Sequence, residues 1–307
     1  MGMRKLRRDT NEIKNKIAKE IAGILQVQPS EISQIRMIKK GMTNQSLLFE
    51  YKGEQYIIRI PGKGTECLIN RRWEYEVYSA IREKGICDEI YYIDENNGYK
   101  VTKYIENAKN CDSYNWEDVE KCMCKLRNVH EQHIEVNHTF DIFSQIEYYE
   151  ELRMDKPSIY ADYKETKENI WQLKAYIDEQ TKKWGLTHMD AVPDNFLLYT
   201  NGRGEEQIRL IDWEYAAMQD VHIDIAMFAI YAMYDKKNID KLMDLYFTEG
   251  CDRSLRKKIY AYIAVCGLLW SNWCEYKRDV GIELGEYSER QYCYAKEYYC
   301  IWKGEKE

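Results

Sequence analysis

One eight-residue stretch constrains this chain more than its composition does. His188-Met189-Asp190-Ala191-Val192-Pro193-Asp194-Asn195 has the form H-x-D-x-x-x-x-N, and Ile211-Asp212-Trp213-Glu214-Tyr215 follows it. Between them, apolar segments at 195–199 and 208–211 flank a turn at Asn201-Gly202, the signature of a β-hairpin. A hairpin brings Asn195 and Asp212 close although 17 positions separate them. These residue types suit phosphoryl transfer, which needs an acceptor for the attacking hydroxyl's proton and oxygen ligands for Mg²⁺. Asp190 can accept or orient that proton. Asn195 offers a neutral ligand oxygen and Asp212 an anionic one. His188 is the second catalytic candidate, in a place better suited to bracing the loop by hydrogen bonding than to acting as the base. Either segment alone would read equally well as loop-stabilising Asp and Asn. The two together, at opposite ends of one hairpin, point to chemistry.

Periodicity organises the rest. Ile13, Ile17, Ile21, Ile24 and Leu25 recur at helical spacing over residues 10–26, and Pro29-Ser30 breaks that helix. Short strands follow at 34–39, 45–51 and 54–60, the last two joined by Lys52-Gly53. A helix is expected over 66–84, closing at Gly85, and two more strands at 90–94 and 99–105. Beyond 110 the pattern is helical: 115–132, 144–154, 165–183, 222–234, 238–248, 253–278 and 286–302. The expected class is α+β, in the outline of a two-lobed, kinase-like fold. Residues 1–105 make a small lobe of antiparallel sheet plus helix, and 106–307 a mainly helical lobe carrying the catalytic loop.

Three features of the small lobe bear on a nucleotide. Gly41-Met42-Thr43-Asn44 joins two strands, and small residues such as Gly41, Thr43 and Asn44 let backbone N–H groups approach phosphate. Gly62-Lys63-Gly64-Thr65 imitates a P-loop but lacks its first glycine and its Lys-Ser/Thr pair. Arg59 sits inside an apolar strand, Ile57-Ile58-Arg59-Ile60, where a charge needs a reason. Glu74 supplies one, because Val77, Tyr78 and Ile81 place it on the buried edge of its helix. An Arg59–Glu74 pair would put a cation over nucleotide phosphates; unpaired, Arg59 would face water from an edge strand. In the segment joining the lobes, the Lys103 C=O and Ile105 N–H are the candidates to bond adenine.

Composition narrows the partners. Net charge is −7 with no basic field, which argues against nucleic acid. Ten cysteines include no C-x-x-C, and histidines number five, so zinc spacing is absent. Dispersed thiols, the lack of a signal-peptide apolar stretch and the lack of an 18-residue apolar run point to the cytoplasm and away from a membrane. Aromatic residues are skewed: 27 Tyr and 8 Trp against 6 Phe. On the helix 253–278, Trp270 and Trp273 lie at i and i+3 and share a face, and the last helix adds Tyr292, Ala295, Tyr299 and Trp302. Such a stripe is ordinarily core. Two Trp with a Tyr are also what a quaternary ammonium cage requires.

These segments resemble the bacterial choline kinases of the choline/ethanolamine kinase family, within the aminoglycoside-phosphotransferase-like superfamily. The resemblance runs from about residue 35 to 302. It takes in Gly41 to Asn44, Tyr56 to Gly62, Glu74, Tyr104-Ile105-Glu106, His188 to Asn195, Ile211 to Tyr215, Asp224-Ile225-Ala226 and Trp270 to Trp273. It implies ATP, Mg²⁺ and a phosphocholine product. Asp190 becomes the base, Asn195 and Asp212 the metal ligands, and Arg59 with Glu74 the phosphate clamp. Glu214, Tyr215, Trp270, Trp273 and a Tyr of the last helix would line the choline site. Tyr292 is the choice by spacing, with Tyr287 as its alternative. One departure concerns Tyr231, which stands where family members often carry an acidic residue, and it leaves primary-amine acceptors open. Ethanolamine, thiamine and aminoglycoside kinases are the rival enzymes, and an inactive kinase-fold binding module is the rival of another class. A homodimer is compatible with the resemblance.

Overall fold

The computed structural model describes residues 15–40, 44–62, 64–154 and 156–304. Gly41 and Thr43 therefore lie outside the described residues. Two compact units divide between Ala108 and Lys109.

The first unit is a five-stranded antiparallel sheet in the order β1-β2-β3-β5-β4. Its strands are β1 (Ile32–Lys40), β2 (Asn44–Tyr51), β3 (Glu54–Pro61), β4 (Ile90–Ile93) and β5 (Lys100–Lys103). The β2–β3 hairpin turns on Lys52-Gly53 with φ of 52° and 76°, the left-handed pair that matches the twist of the flanking strands. Side chains alternate across the sheet. Leu47, Phe49, Tyr56, Ile58 and Val101 form one apolar face with Ile21 and Ala22 of helix α1 (residues 15–25). Arg59 and Lys100 are adjacent partners whose side chains leave on the opposite face.

Helix α2 (Arg71–Ile81) serves that second face. It is shorter than the span 66–84 expected from periodicity. Asn70 accepts hydrogen bonds from the Arg72 and Trp73 N–H groups and caps the helix, which leaves 64–70 as turns. Capping outweighs apolar spacing at this end. Arg59 is buried and meets the Glu74 carboxylate at 2.5 Å. Arg71 reaches the other oxygen of Glu74 at 2.8 Å, and Arg59 also donates to the Gly98 C=O. Arg59 is thus held in place rather than hanging from an edge strand. Asn44 is buried at the start of β2. Lys103 closes β5 with its N–H given to the Glu89 C=O, and Tyr104 donates to the Gln55 C=O just before Ile105.

The second unit is built around one long helix. It contains α3 (Trp116–His130), α4 (Ile142–Glu151), α5 (Tyr163–Glu179), α6 (Ile223–Tyr231), α7 (Lys236–Tyr246), α8 (Arg253–Asp279) and α9 (Glu286–Lys303). Every residue of α8 from Lys258 to Lys277 is buried, because α4, α5, α6 and α9 all pack against it. α9 comes closest at Gly267. A Cβ there would stand 2.7 Å from the Gln291 C=O and 2.8 Å from the Ala295 N, so only glycine permits this spacing. No helix among the described residues is long and apolar enough to cross a membrane.

Five short strands complete the unit. β6 (Lys109–Asn110), β8 (Phe196–Thr200) and β9 (Glu206–Leu210) form one sheet in the order β6-β8-β9. β7 (Trp184–Thr187) pairs with β10 (Ala217–Asp220). The β8–β9 hairpin was expected; the β7–β10 ladder was not. It closes a loop: β7 runs directly into His188, and β10 leaves just after Tyr215.

Candidate active site

The chain between β7 and β8 must turn sharply, and Met189 takes the left-handed conformation at φ 63°. Asp224, alone among the apolar side chains of α6, holds that turn. It is fully buried and accepts the His188 and Met189 N–H groups, each at 2.8 Å. It also faces His130 Nε2 at 3.0 Å. The His188 ring braces the other side. Its Nε2 lies 2.9 Å from the Ile211 C=O, and its Nδ1 accepts the Asp190 N–H at 3.2 Å. Nδ1 is therefore the acceptor and Nε2–H the donor. Burial holds His188 below its ordinary pKa. With both nitrogens engaged, His188 positions the loop and is removed from the catalytic candidates.

Asp190 points out of this braced turn and keeps part of its surface exposed. Asn195 donates its side-chain N–H₂ to the Asp190 C=O at 2.9 Å and to its carboxylate at 3.1 Å. That leaves the Asn195 carbonyl oxygen as the atom able to meet a cation. Ile211 N–H donates to the Asn195 C=O at 2.9 Å, which extends the hairpin ladder by one bond and sets Asp212 beside it. Asp212 turns out of the strand at φ 67°, a conformation Asp tolerates better than most residues. Burial raises the Asp190 pKa well above the usual carboxylate range, with further increments from Asp212, Glu214 and Asp224. A carboxylate raised in this way by its acidic neighbours favours a bound cation. One neutral and one anionic oxygen, on Asn195 and Asp212, fit a hard divalent ion such as Mg²⁺.

Aromatic rings surround the next positions. Tyr215 stands edge-to-face with Trp270, with ring centres 5.8 Å apart, and Trp270 with Trp273 at 5.5 Å. The Trp270 indole N–H reaches the Met227 sulfur at 2.9 Å, which fixes its rotamer. Tyr231 meets Tyr287 edge-to-face at 5.8 Å and donates to the Asp194 carboxylate at 3.1 Å. Burial raises the phenol pKa of Tyr287, and Cys274 and Asp190 add to that shift.

The structure also changes one aromatic candidate. Tyr292, chosen by spacing, faces α5. Its hydroxyl bonds Asp162 and Thr166, both at 2.8 Å, and its ring stacks on Tyr160 at 3.7 Å. Gln291 sets this rotation by donating to the Ile230 C=O at 3.0 Å, at the end of α6. Tyr287, one turn before Gln291, is thereby carried against Tyr231, and Tyr292 is turned about 140° away from Tyr287. Tyr287 replaces Tyr292 as the candidate. The role of Asp224 has a signal in the sequence: a lone carboxylate inside Ile-Asp-Ile-Ala-Met-Phe-Ala-Ile needs a buried partner.

Residues 35–247 match the family model described as choline/ethanolamine kinase. The LicA protein of Haemophilus influenzae is 28% identical over 265 residues, covering 81% of this chain and 75% of the relative. The crystal structure of choline kinase LicA from Streptococcus pneumoniae superposes with a TM-score of 0.80 at 27% identity, over 94% of this chain and 99% of that one. LicA in complex with AMP gives 0.79 at 28% identity, over 94% and 98%. The α+β, kinase-like class read from the sequence is thus the observed one, and the chain belongs to the choline/ethanolamine kinase family.

Proposed function

We propose that this chain is an ATP-dependent choline kinase, which transfers the γ-phosphate of ATP to the choline hydroxyl and yields phosphocholine and ADP. One observation carries the reading. Asp190, steadied by Asn195, shares its surroundings with the Tyr231–Tyr287 pair and with Glu214, which leads into the Tyr215–Trp270–Trp273 group. A proton acceptor, an anionic field and aromatic faces are what a hydroxyl-bearing quaternary ammonium needs. Asp190 orients the hydroxyl and takes its proton. Asn195 and Asp212 would hold Mg²⁺, which when bound neutralises phosphate charge. Arg59, fixed by Glu74, meets the nucleotide phosphates, and the backbone at Lys103 and Ile105 meets adenine.

Polycationic aminoglycosides fit less well. Among the C-terminal carboxylates that might meet several ammonium groups, Glu275 is buried and taken by Arg153, Ser158 and the Ile159 N–H. Ethanolamine is the second reading, because the Tyr231–Asp194 pair offers oxygen acceptors that a primary amine uses and a trimethylammonium cannot.

An ADP-release assay with MgATP decides between them. Choline is expected to give the higher kcat/KM. Turnover of ethanolamine in preference to choline, or of neither, refutes the choline assignment. Trp270→Phe leaves a smaller and weaker ring face, and Trp270→Ala removes the face. The choline KM should rise about threefold and about tenfold or more, respectively, with the ATP KM changed by less than about twofold. Equal effects on both KM values would count against a cation wall at Trp270.

A further inference from the structure

Lys277 lies one turn beyond Trp273 on α8. Its ammonium stands 5.2 Å from the centre of the Trp273 ring, and the residue is only 2% exposed. Lysine is among the residues least often found fully buried, because its charge loses hydration there. Two features of the site compensate. The Trp273 face attracts the ammonium, and the Glu214 carboxylate acts on it. Burial pulls the lysine pKa down while Glu214 pulls it back up. Both groups have further partners in the site: Glu214 also acts on Asp190, and Trp273 packs edge-to-face on Trp270. A single lysine therefore draws on the same ring and the same carboxylate that the site offers to a substrate cation.

We propose that Lys277 is an internal cation holding the place of the substrate ammonium at Trp273, and that its displacement sets the affinity for cationic acceptors. It is a specificity-determining residue. The proposal takes its substrate from the choline reading, but its test does not depend on turnover. Two like charges cannot share one ring face without repulsion, so the entering cation must move Lys277 aside. A lysine that merely supported Trp273 would act in the opposite sense, since its loss would loosen the ring and weaken binding.

Tetramethylammonium, a cation without a hydroxyl, is the probe, titrated against the full chain by calorimetry. Lys277→Met keeps the aliphatic stem and removes the charge; Lys277→Gln serves the same comparison if the methionine variant is insoluble. Removing one competing cation–ring contact should lower the tetramethylammonium Kd about fivefold. The choline KM should fall in parallel and the ATP KM should not. Lys277→Arg keeps the charge and should give no such gain. An unchanged or raised Kd in the uncharged variants overturns the proposal, as does an equal gain in Lys277→Arg. If the wild-type chain binds tetramethylammonium yet fails to phosphorylate choline, the choline reading falls and the Kd comparison still decides the role of Lys277.

Discussion

Asp190→Asn should lower kcat by about 10³-fold while changing either KM by less than about threefold, as expected when a group acts on the proton in the transition state and not on binding. The substitution is close to isosteric. It keeps an oxygen to receive the Asn195 N–H₂, which now approaches the carboxylate at 3.1 Å. It leaves the backbone bonds of the loop untouched, including the Asp190 N–H to His188. What it removes is the capacity to take a proton and one negative charge beside Asp212 and Glu214. That charge relief should leave the fold as stable or slightly more stable, since burial first, and those neighbours after it, push the native carboxylate toward its neutral form. Single-turnover measurement with choline and MgATP separates chemistry from release. A kcat within tenfold of wild type would exclude Asp190 as the proton acceptor.

Asp224→Ala should have the second-largest effect, and on a different quantity. The residue is fully buried and touches neither Asn195 nor Asp212 in the hydrogen bonds described above. Its loss strands two backbone N–H groups and the bond to His130. Each buried donor left unsatisfied costs roughly 1–3 kcal/mol, so the total is on the order of 4 kcal/mol. At about 2–4 °C per kcal/mol for a chain of this size, Tm should fall by about 10 °C. Activity should fall as well at temperatures where the variant remains folded, because the Met189 turn that aims Asp190 loses its anchor. Asp224→Asn should lie between the two, since one oxygen remains to receive a donor. A Tm within about 2 °C of wild type for Asp224→Ala would show that the loop is held by other contacts.

Much of this architecture was legible in the residues because the deciding interactions are local. Lys52-Gly53 can only turn a tight hairpin, and the H-x-D-x-x-x-x-N loop with its following Asp carries its chemistry in residue type. The Arg59–Glu74 pair was legible because two anomalies, a charge in an apolar strand and a carboxylate on an apolar helix edge, answer each other. The features that leave no local mark depend on distant partners. Trp184–Thr187 is only four residues long, and its pairing with Ala217–Asp220 is set by chain closure around the catalytic loop. The choice between Tyr287 and Tyr292 turns on the rotation of α9. Gly267 and the Gln291 bond to α6 fix that rotation, and neither leaves a mark in the spacing of the tyrosines themselves.

The β8–β9 hairpin separates two jobs along its length. At one end the ladder registers Asn195 against Ile211, and at the other Asn201 accepts the Arg203 and Glu205 N–H groups to close an exposed turn. Five-residue strands put about 16 Å between the two ends. Residues added at Gly202 therefore lengthen only the distal loop, while the paired strands keep the ligand oxygens in register. The hairpin therefore has a spare outer end, where a reporter peptide or dye can be grafted without disturbing the catalytic loop.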